Sequence, residues 1–421
     1  MIKRVGIKGY KSFRELDIRL KPLTVIFGPN ASGKSNFLDA LYFISKAVNK
    51  KNLKEAFNGH RGLPLESCYY GEIGYEELLK KSNIQFTIEV DLEISPSVKK
   101  KVEEIVQAKR KGIDSTNSKK HVITESRLRY SLTIEALPET GYLRVKDERL
   151  CAIKRNGEEK KRKPFLEREG KRIHLRMEGQ AHPIYHEIGL DHTIVSTALY
   201  EPHYPHITAF RTELANWYTY YLEPKNLMRE EVPLAEIENV GSRGENLAAF
   251  LNTLRHNYEK DYESLNLSLN RILPTEASIE VEHLKKEGRV GLRLSENGLW
   301  FSARLISEGT LRLIGLLCAI HPKNPATMVA FEEPENGVHP VRLKIISDLL
   351  KNASSVFEKQ IVVTTHSPIL PEYFDDEDLF VSVREGNQTI IKPFINYGPL
   401  FRKRDIDHAL EDRILRGEFG G

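Results

Sequence analysis

Eight residues, 28–35, constrain the fold of this chain more than any other segment. They read Gly-Pro-Asn-Ala-Ser-Gly-Lys-Ser, follow an apolar run at 23–27 and precede a segment with apolar residues at helical spacing. The pattern Gly-x-x-x-x-Gly-Lys-Ser/Thr between a strand and a helix predicts a phosphate-binding loop. Its glycines let successive backbone N–H groups face phosphate oxygens, and the helix N-terminus adds the positive end of its dipole.

The residues of this loop have expected roles. Lys34 is expected to reach the β and γ phosphates of a bound nucleotide, and the Ser35 hydroxyl is expected to ligate Mg²⁺. The loop by itself does not distinguish a kinase, a GTPase, a helicase and a transporter subunit. The predicted nucleotide contacts in and just after the loop are Asn30, Ala31, Ser32, Gly33, Lys34, Ser35 and Asn36.

A second apolar strand, predicted at 326–331, ends in two adjacent carboxylates, Glu332 and Glu333. Open parallel sheets bind their ligands at the carboxyl ends of their strands. Because neighbouring residues of a strand point to opposite sides, the two acids are expected to differ in role. We predict that Glu332 binds Mg²⁺, directly or through water, and that Glu333 orients and polarises the attacking water.

Two further motifs accompany these carboxylates. A strand at 361–365 ends in His366, which is expected to hydrogen-bond the γ phosphate and sense hydrolysis. Ser307, Glu308 and Gly309 precede an apolar helix at 310–320 and predict a second anion site at its start. Since two anion sites could not easily serve one phosphate within one subunit, we expect this second site to complete the nucleotide site of a partner subunit.

The order of strands and helices predicts an α/β fold with a parallel sheet and right-handed crossovers. We expect residues 1–75 and 241–421 to form the nucleotide-binding part. An inserted lobe at 76–240 has antiparallel strands predicted at 84–94, 127–136 and 142–153. In the second half, single helices are predicted at 245–270 and 341–352.

Charge is unevenly distributed along the chain. Residues 99–177 hold 23 Lys and Arg against 12 Asp and Glu, a surplus of 11, while the whole chain has a net charge of only +4. Such a segment either neutralises nucleic-acid phosphates or forms a solvated surface insertion, and charge alone does not decide between them.

Composition excludes several classes of protein. The chain has no apolar run near the roughly 18 residues of a membrane span and no signal-peptide pattern, so a cytoplasmic location is expected. Its three cysteines are widely spaced, which argues against a disulfide framework and a cysteine zinc site. The histidines between 182 and 206 have irregular spacing, and their role stays open. The aromatic run 217–221 is expected to pack in a core.

Taken together, these motifs resemble the ABC-type ATPases of the RecF, OLD and SMC group, and in particular the short prokaryotic ATPases of the AAA family. The resemblance covers most of the chain. Residues 28–35 match the Walker A motif, 307–310 a reduced signature, 332–340 the Walker B motif and D-loop, 365–368 the switch histidine, and 244–248 the entry to a helix before the signature. Residues 9–14 look like the first-strand motif of the family and add Lys11, Ser12 and Phe13 as expected ATP contacts.

The resemblance implies a P-loop NTPase fold, with an ABC-type ATPase head of mixed or parallel sheet and an inserted α+β lobe. It implies an ATP-hydrolysing homodimer in which Ser307 of one subunit caps the nucleotide of the other. It further implies DNA repair or anti-phage defence beside an effector encoded nearby, such as a nuclease. DNA is a further candidate partner, no membrane is expected, and assembly beyond a dimer stays open.

The chain departs from the family pattern in several places. Glu332 stands where many relatives carry Asp, and the signature lacks the second glycine and the glutamine of transporter subunits. No Q-loop is evident, because Gln85 lies in an alternating strand. No heptad arm is present, and only about fifty residues follow His366, so no fused nuclease is expected. Two alternative functions remain: an ATP-stabilised scaffold with incidental turnover, and the ATPase subunit of a transporter.

Overall fold

A computed structural model describes residues 1–110, 122–178, 184–273 and 275–397. The chain forms two compact units. Unit 1 comprises Met1–Lys21, Ala31–Trp217 and Ser382–Lys392, and unit 2 comprises Pro22–Asn30, Tyr218–Val381 and the residues from Pro393 onward. The predicted boundaries at 75/76 and 240/241 stay a prediction.

The described strands and helices are as follows. The strands are β1 (Ile2–Tyr10), β2 (Phe13–Arg19), β3 (Leu23–Phe27), β4 (Ile84–Glu93), β5 (Arg127–Leu137), β6 (Tyr142–Ala152), β7 (Leu166–Glu169), β8 (Arg172–Leu175), β9 (Ile184–Glu187), β10 (Trp217–Tyr220), β11 (Val232–Pro233), β12 (Ala277–Leu284), β13 (Arg289–Glu296), β14 (Leu299–Ser302), β15 (Met328–Glu332), β16 (Gln360–Thr365), β17 (Leu379–Glu385) and β18 (Gln388–Pro393). The α-helices are α1 (Lys34–Ala47), α2 (Leu53–Ala56), α3 (Tyr75–Leu79), α4 (Pro96–Arg110), α5 (Pro205–Ala215), α6 (Leu247–Asn257), α7 (Glu259–Ile272), α8 (Glu308–Ile320) and α9 (Leu343–Ser355).

Unit 1 is built on an antiparallel sheet of eight strands in the order β2-β1-β4-β5-β6-β7-β8-β9. Buried side chains alternate along β5, as expected for a strand with one face against a core. The helix after the phosphate loop, α1, packs on this sheet, where Phe43 lies 5.5 Å from Phe86, centroid to centroid. The sheet therefore supports the second half of α1.

Unit 2 contains the parallel strands. β15, β16, β3 and β17 lie side by side in that order, and β10 borders β15. Every residue of β3, β15 and β16 is buried, which matches the continuous apolar runs of the sequence. Trp217 and Tyr220 of β10 are buried, and Tyr220 stacks on Phe331, as predicted for the aromatic run 217–221. The prediction is wrong for Tyr221, which lies beyond the end of β10 and is 52% exposed. A separate sheet joins β11, β12, β13 and β14.

The predicted helix at 245–270 is wrong as a single element. Two helices, α6 and α7, meet at Tyr258, whose φ of −145° and ψ of 59° are not helical. Buried residues of α6 reach Leu254, and those of α7 resume at Tyr262. This spacing of eight residues continues one helical stripe through the break, so hydrophobic periodicity could not reveal it.

The sequence predictions also omit α4. Its Val98, Val102 and Val106 are buried at a spacing of four residues, while lysines occupy much of the remaining surface. Because the apolar stripe of α4 is narrow and most of the other residues are polar or charged, the sequence pattern did not indicate this helix. Among the helices that the structure describes, none has the length and apolar character needed to cross a membrane.

Candidate functional site

Three motifs of unit 2 leave its parallel sheet at one edge. In the strand register, Glu332 lies opposite Thr364, and Thr365 lies opposite Phe27. The chain after β3 (28–30), the carboxylates at the end of β15 and His366 after β16 therefore emerge together. This edge is the carboxyl end of the sheet, where open α/β proteins bind their ligands.

Glu333 and His366 are in direct contact. Nδ1 of His366 lies 2.9 Å from Oε1 of Glu333, and Nδ2 of Asn336 donates to Oε2 at 2.6 Å. Because an ionised carboxylate only accepts hydrogen bonds, Nδ1 of His366 carries the proton of this contact. Both oxygens of Glu333 are thus oriented, while its side chain keeps 25% exposure and that of His366 keeps 39%.

Backbone geometry separates the two adjacent carboxylates. Glu332 is the last residue of β15 and is 8% exposed, whereas Glu333 has a left-handed φ of 48°. The Glu333 N–H still donates to the Thr364 carbonyl at 2.8 Å. A non-glycine residue with this φ is uncommon and indicates that the surrounding structure holds the turn.

Each of the two residues predicted to bind Mg²⁺ carries an oxygen ligand, a hydroxyl at Ser35 in unit 1 and a carboxylate at Glu332 in unit 2. Mg²⁺ prefers oxygen ligands and in nucleotide sites takes few protein ligands, the remainder being phosphate and water. In the described part of the chain no group of three or more His, Cys, Asp or Glu residues could hold a metal by itself. The oxygen chemistry of each residue is therefore of the kind that Mg²⁺ prefers.

The part of the phosphate loop in unit 1 is supported by the late strands β17 and β18. The carbonyl oxygen of Ser32 accepts hydrogen bonds from Ser382 at 3.1 Å and Thr389 at 2.8 Å. Gly33 caps α1 with φ 96°, and a Cβ there would lie 2.0 Å from Oγ1 of Thr389. Only glycine fits this position, where the backbone turns under a buried side chain.

The other predicted contacts in unit 1 occupy the same surroundings. Oγ of Ser12 accepts a hydrogen bond from Asn36 at 2.8 Å and lies 2.7 Å from Oγ1 of Thr389. Lys34 is 5% exposed. Phe13 is fully buried, so its ring belongs to the core and only its backbone is left for a ligand contact.

Lys11 is tied into an ion-pair cluster. Its Nζ lies 2.6 Å from Asp39 and donates to the Arg61 carbonyl at 2.7 Å. Arg61 reaches the same carboxylate at 3.0 Å and the Ser35 carbonyl at 3.3 Å. Burial lowers the pKa of Lys11. The sequence analysis missed Asp39 and Arg61, although Asp39 lies one helical turn after Ser35, on the same side of α1.

The predicted signature loop lies at the start of α8. Ser307 is the N-cap: its hydroxyl accepts from the Thr310 N–H at 3.1 Å and lies 2.8 Å from Oγ1 of Thr310. Ser307 and Glu308 are exposed. A Cβ on Gly309 would lie 2.7 Å from the Gly337 carbonyl oxygen. Because glycine has no side chain, the backbone at Gly337, shortly after Glu332 and Glu333, can pass close to the start of α8.

Several histidines of the 182–206 stretch have structural partners. Nδ1 of His206 lies 2.6 Å from Glu178, and its Nε2 accepts from the Glu125 N–H at 2.9 Å. His206 is 1% exposed and stacks on Phe165. It therefore anchors this part of unit 1. His182 lies outside the described residues.

Comparison with known proteins decides the family. Residues 23–370 match the model of the AAA_21 family, described as "AAA domain, putative AbiEii toxin, Type IV TA system". The chain belongs to this family. It is 22% identical over 432 residues to an "ATP/GTP phosphatase" of Helicobacter pylori, an alignment that covers 99% of this chain and 96% of the relative.

Shorter matches connect this AAA_21 protein to the RecF and SMC proteins. It is 34% identical over 55 residues to the DNA replication and repair protein RecF of Halalkalibacterium halodurans, which covers 13% of this chain and 15% of that protein. It is 35% identical over 78 residues to the chromosome partition protein Smc of Methanocaldococcus jannaschii, covering 16% of this chain and 7% of the relative.

A solved structure shares the fold. This is the crystal structure of an Smc head bound to the C-terminal winged-helix domain of ScpA, which has a TM-score of 0.54 and 14% identity and covers 93% of this chain and 97% of that chain. The predicted membership of the RecF/SMC group of ABC-type ATPases and the predicted ATPase-head fold are confirmed.

Proposed function

We propose that this AAA_21 protein hydrolyses ATP in a homodimer whose subunits share two nucleotide sites. One observation carries the proposal: the Glu333 carboxylate is held by His366 and Asn336 at the carboxyl end of the parallel strands, beside the exit of β3 into the phosphate loop. A partly exposed carboxylate with both oxygens oriented can accept a proton from a water molecule.

Each residue of the site has a proposed role. Lys34 and the N–H groups of 30–36 bind the phosphates of ATP, while Lys11, Ser12 and Phe13 border the site. Glu333 orients the attacking water and takes its proton, and His366 supports the carboxylate and contacts the γ phosphate. Ser35 and Glu332 would each supply an oxygen ligand to Mg²⁺, and the ion would supply positive charge for the phosphates.

The decisive experiment compares Glu333→Gln with wild-type protein. Glutamine keeps the size of the side chain but cannot take a proton, so we expect hydrolysis to fall roughly 100-fold or more while ATP still binds. The matched control is Glu287→Gln, because Glu287 is exposed in the turn between β12 and β13. Unchanged hydrolysis in Glu333→Gln would overturn the proposal.

Sharing of sites between subunits can be tested by mixing two inactive variants. Lys34→Ala removes the phosphate lysine but keeps the signature loop, and Ser307→Arg does the reverse. If the loop acts on the partner's nucleotide, a mixed dimer contains one intact site, and mixing restores part of the activity. If mixing restores nothing although mixed dimers form, the proposed sharing is wrong.

We further propose that the ATPase cycle drives an effector in DNA repair or anti-phage defence. The family description and the RecF and Smc relatives support this reading. Sizing the complex with ATP and with ADP tests it against the scaffold alternative. A complex that holds together with ATP while hydrolysis is negligible favours the scaffold.

A DNA contact would use the basic residues of unit 1, many of which are paired with acids. These pairs are Lys109–Glu201, Arg127–Glu93, Arg129–Asp91, Arg144–Glu135, Lys146–Glu135, Arg149–Glu159, Lys154–Glu158, Lys160–Glu125 and Arg176–Glu167. The loop 154–163 keeps exposed Lys161 and Lys163. In a Lys161→Glu/Lys163→Glu variant, we expect the salt dependence of duplex binding to weaken relative to the surface control Lys8→Glu. If the salt dependence of duplex binding is unchanged in this variant, Lys161 and Lys163 do not contact the DNA phosphates.

A further inference from the structure

A third carboxylate lies behind the Glu333 site. Glu335 is two residues beyond Glu333 and is 7% exposed. One of its oxygens, Oε1, accepts a hydrogen bond from the Thr365 hydroxyl, and the other, Oε2, is buried with no hydrogen-bond partner among the residues that the structure describes. Burial raises the pKa of this carboxyl.

Thr365 connects Glu335 to the turn that carries His366. Thr365 ends β16, and its Oγ1 accepts from the Ser367 N–H at 2.9 Å. The Thr365 hydroxyl oxygen thus accepts from the Ser367 N–H, and the hydroxyl donates its own proton to Oε1 of Glu335. The chain on both sides of His366 is thus fixed by one buried contact.

The chain around Glu335 also orients Glu333. Asn336, the next residue, donates from its side chain to Oε2 of Glu333 at 2.6 Å and from its backbone to the Glu333 carbonyl at 3.1 Å. His366 contacts the other oxygen at 2.9 Å. In the sequence, Asn336 follows Glu335 and His366 follows Thr365. Each residue that holds Glu333 is therefore the neighbour of a residue in the buried Glu335–Thr365 contact.

Stability alone does not account for a carboxyl at this position. A buried polar atom that makes no hydrogen bond lowers the stability of the folded state, because it has lost its bonds to water. Strained or incompletely satisfied groups of this kind are concentrated at functional sites. Glu335 accepts this cost beside the groups that orient Glu333.

We propose that Glu335 is a positioning residue for ATP hydrolysis: through Thr365 it holds His366, and through the turn at Asn336 it holds Glu333. The inference rests on the proposed function of Glu333. It assigns to Glu335 no contact with the nucleotide. Its loss should therefore lower kcat and leave the KM for ATP nearly unchanged, because misplacement of a reacting group by about 1 Å costs up to about 100-fold in rate.

The test uses steady-state ATP hydrolysis by the full chain with four variants. Glu335→Ala and Thr365→Val remove the buried hydrogen bond from either end, and each should lower kcat roughly 10- to 100-fold with KM within about twofold. Glu335→Gln and Thr365→Ser keep an acceptor and a hydroxyl, respectively, and should recover most of kcat. The double variant Glu335→Ala/Thr365→Val should be no slower than Thr365→Val alone, since Thr365→Val already removes the hydrogen bond to Glu335 together with the acceptor of the Ser367 N–H.

The outcomes separate this inference from the proposed function. If Glu333→Gln abolishes hydrolysis while Glu335→Ala and Thr365→Val keep the wild-type kcat, Glu335 has no positioning role. A rise in KM matching the fall in kcat, or no recovery in Thr365→Ser, also overturns the inference. If Glu333→Gln hydrolyses ATP normally, both fail. Should Glu335→Ala not fold, the comparison of Thr365→Val with Thr365→Ser decides.

Discussion

Nδ1 of His366 lies 2.9 Å from Oε1 of Glu333, although 33 positions of sequence separate them. The contact exists because β15 and β16 are parallel neighbours in register, so their carboxyl ends deliver both side chains to one place. A histidine that donates from Nδ1 presents Nε2 away from the carboxylate. The pair can therefore hold a water with one member and face a phosphate with the other.

Replacing His366 by Ala should slow hydrolysis without preventing ATP binding. Glu333 would keep its bond from Asn336 but lose the donor on Oε1, so we expect kcat to fall roughly 100-fold. The measurement is steady-state hydrolysis together with ATP affinity. His283→Ala is the control, since His283 is exposed on β12. Equal kcat in both variants would exclude a role for His366 in turnover.

Replacing Lys34 by Ala should abolish measurable ATP binding. The lysine supplies the one formal side-chain charge within the loop 28–35. Titration calorimetry with ATP and Mg²⁺ measures the effect, and Lys8→Ala removes an exposed lysine of β1 as the control. Wild-type affinity in Lys34→Ala would contradict the phosphate role of the loop.

Gly309→Ala should destabilise the protein despite the higher helix propensity of alanine. The new Cβ would lie 2.7 Å from the Gly337 carbonyl, and relief requires movement of backbone, at about 1–3 kcal/mol. Urea unfolding measures the loss. Gly6→Ala is the control, because a Cβ there meets only ordinary contacts at 3.5 Å and beyond. A variant as stable as the control would show that the contact relaxes freely.

Stability should fall in mild acid through His60. Burial, with the charge of Lys11, lowers the pKa of His60 to about 4 from its usual 6.5. Between these values the unfolded chain binds a proton that the folded chain does not, so the unfolding free energy decreases as pH falls from 6.5 toward 4. From pH 7 to pH 5 the contribution is about 2 kcal/mol.

The pH effect is measured by urea unfolding of wild type and His60→Gln at both pH values. Carboxylates also titrate at acid pH, but they do so in both proteins, so the difference between the two slopes isolates His60. Parallel pH profiles would show that His60 does not carry the effect.

Apolar runs and short-range spacing made much of the ATPase core predictable. β3 was predicted with the bounds it has, and β15 and β16 within two residues, because each is a run of buried residues followed at once by polar motif residues. Such continuous apolar runs are typical of strands that are buried on both faces of a parallel sheet. The shared edge of Glu333 and His366 then follows from strand polarity alone.

Contacts between segments that are far apart in the sequence could not be predicted from apolar runs and short-range spacing. Nothing near Thr389 in sequence indicates that its hydroxyl meets Ser12, and no local pattern singles out Arg61 beside Asp39. The buried pair of Glu335 and Thr365 is likewise a tertiary event. Local pattern therefore predicted candidate catalytic and phosphate-binding groups, while the groups that contact and orient them required coordinates.

The contact of Thr389 with Ser12 and Ser32 spans 377 and 357 positions of the chain. During translation, residues up to Thr389 must leave the ribosome before the Thr389 hydroxyl can contact the phosphate loop at Ser32. We expect nascent chains that stop before β18 to bind nucleotide poorly. Nucleotide binding would thus depend on a strand that is translated long after the phosphate loop itself.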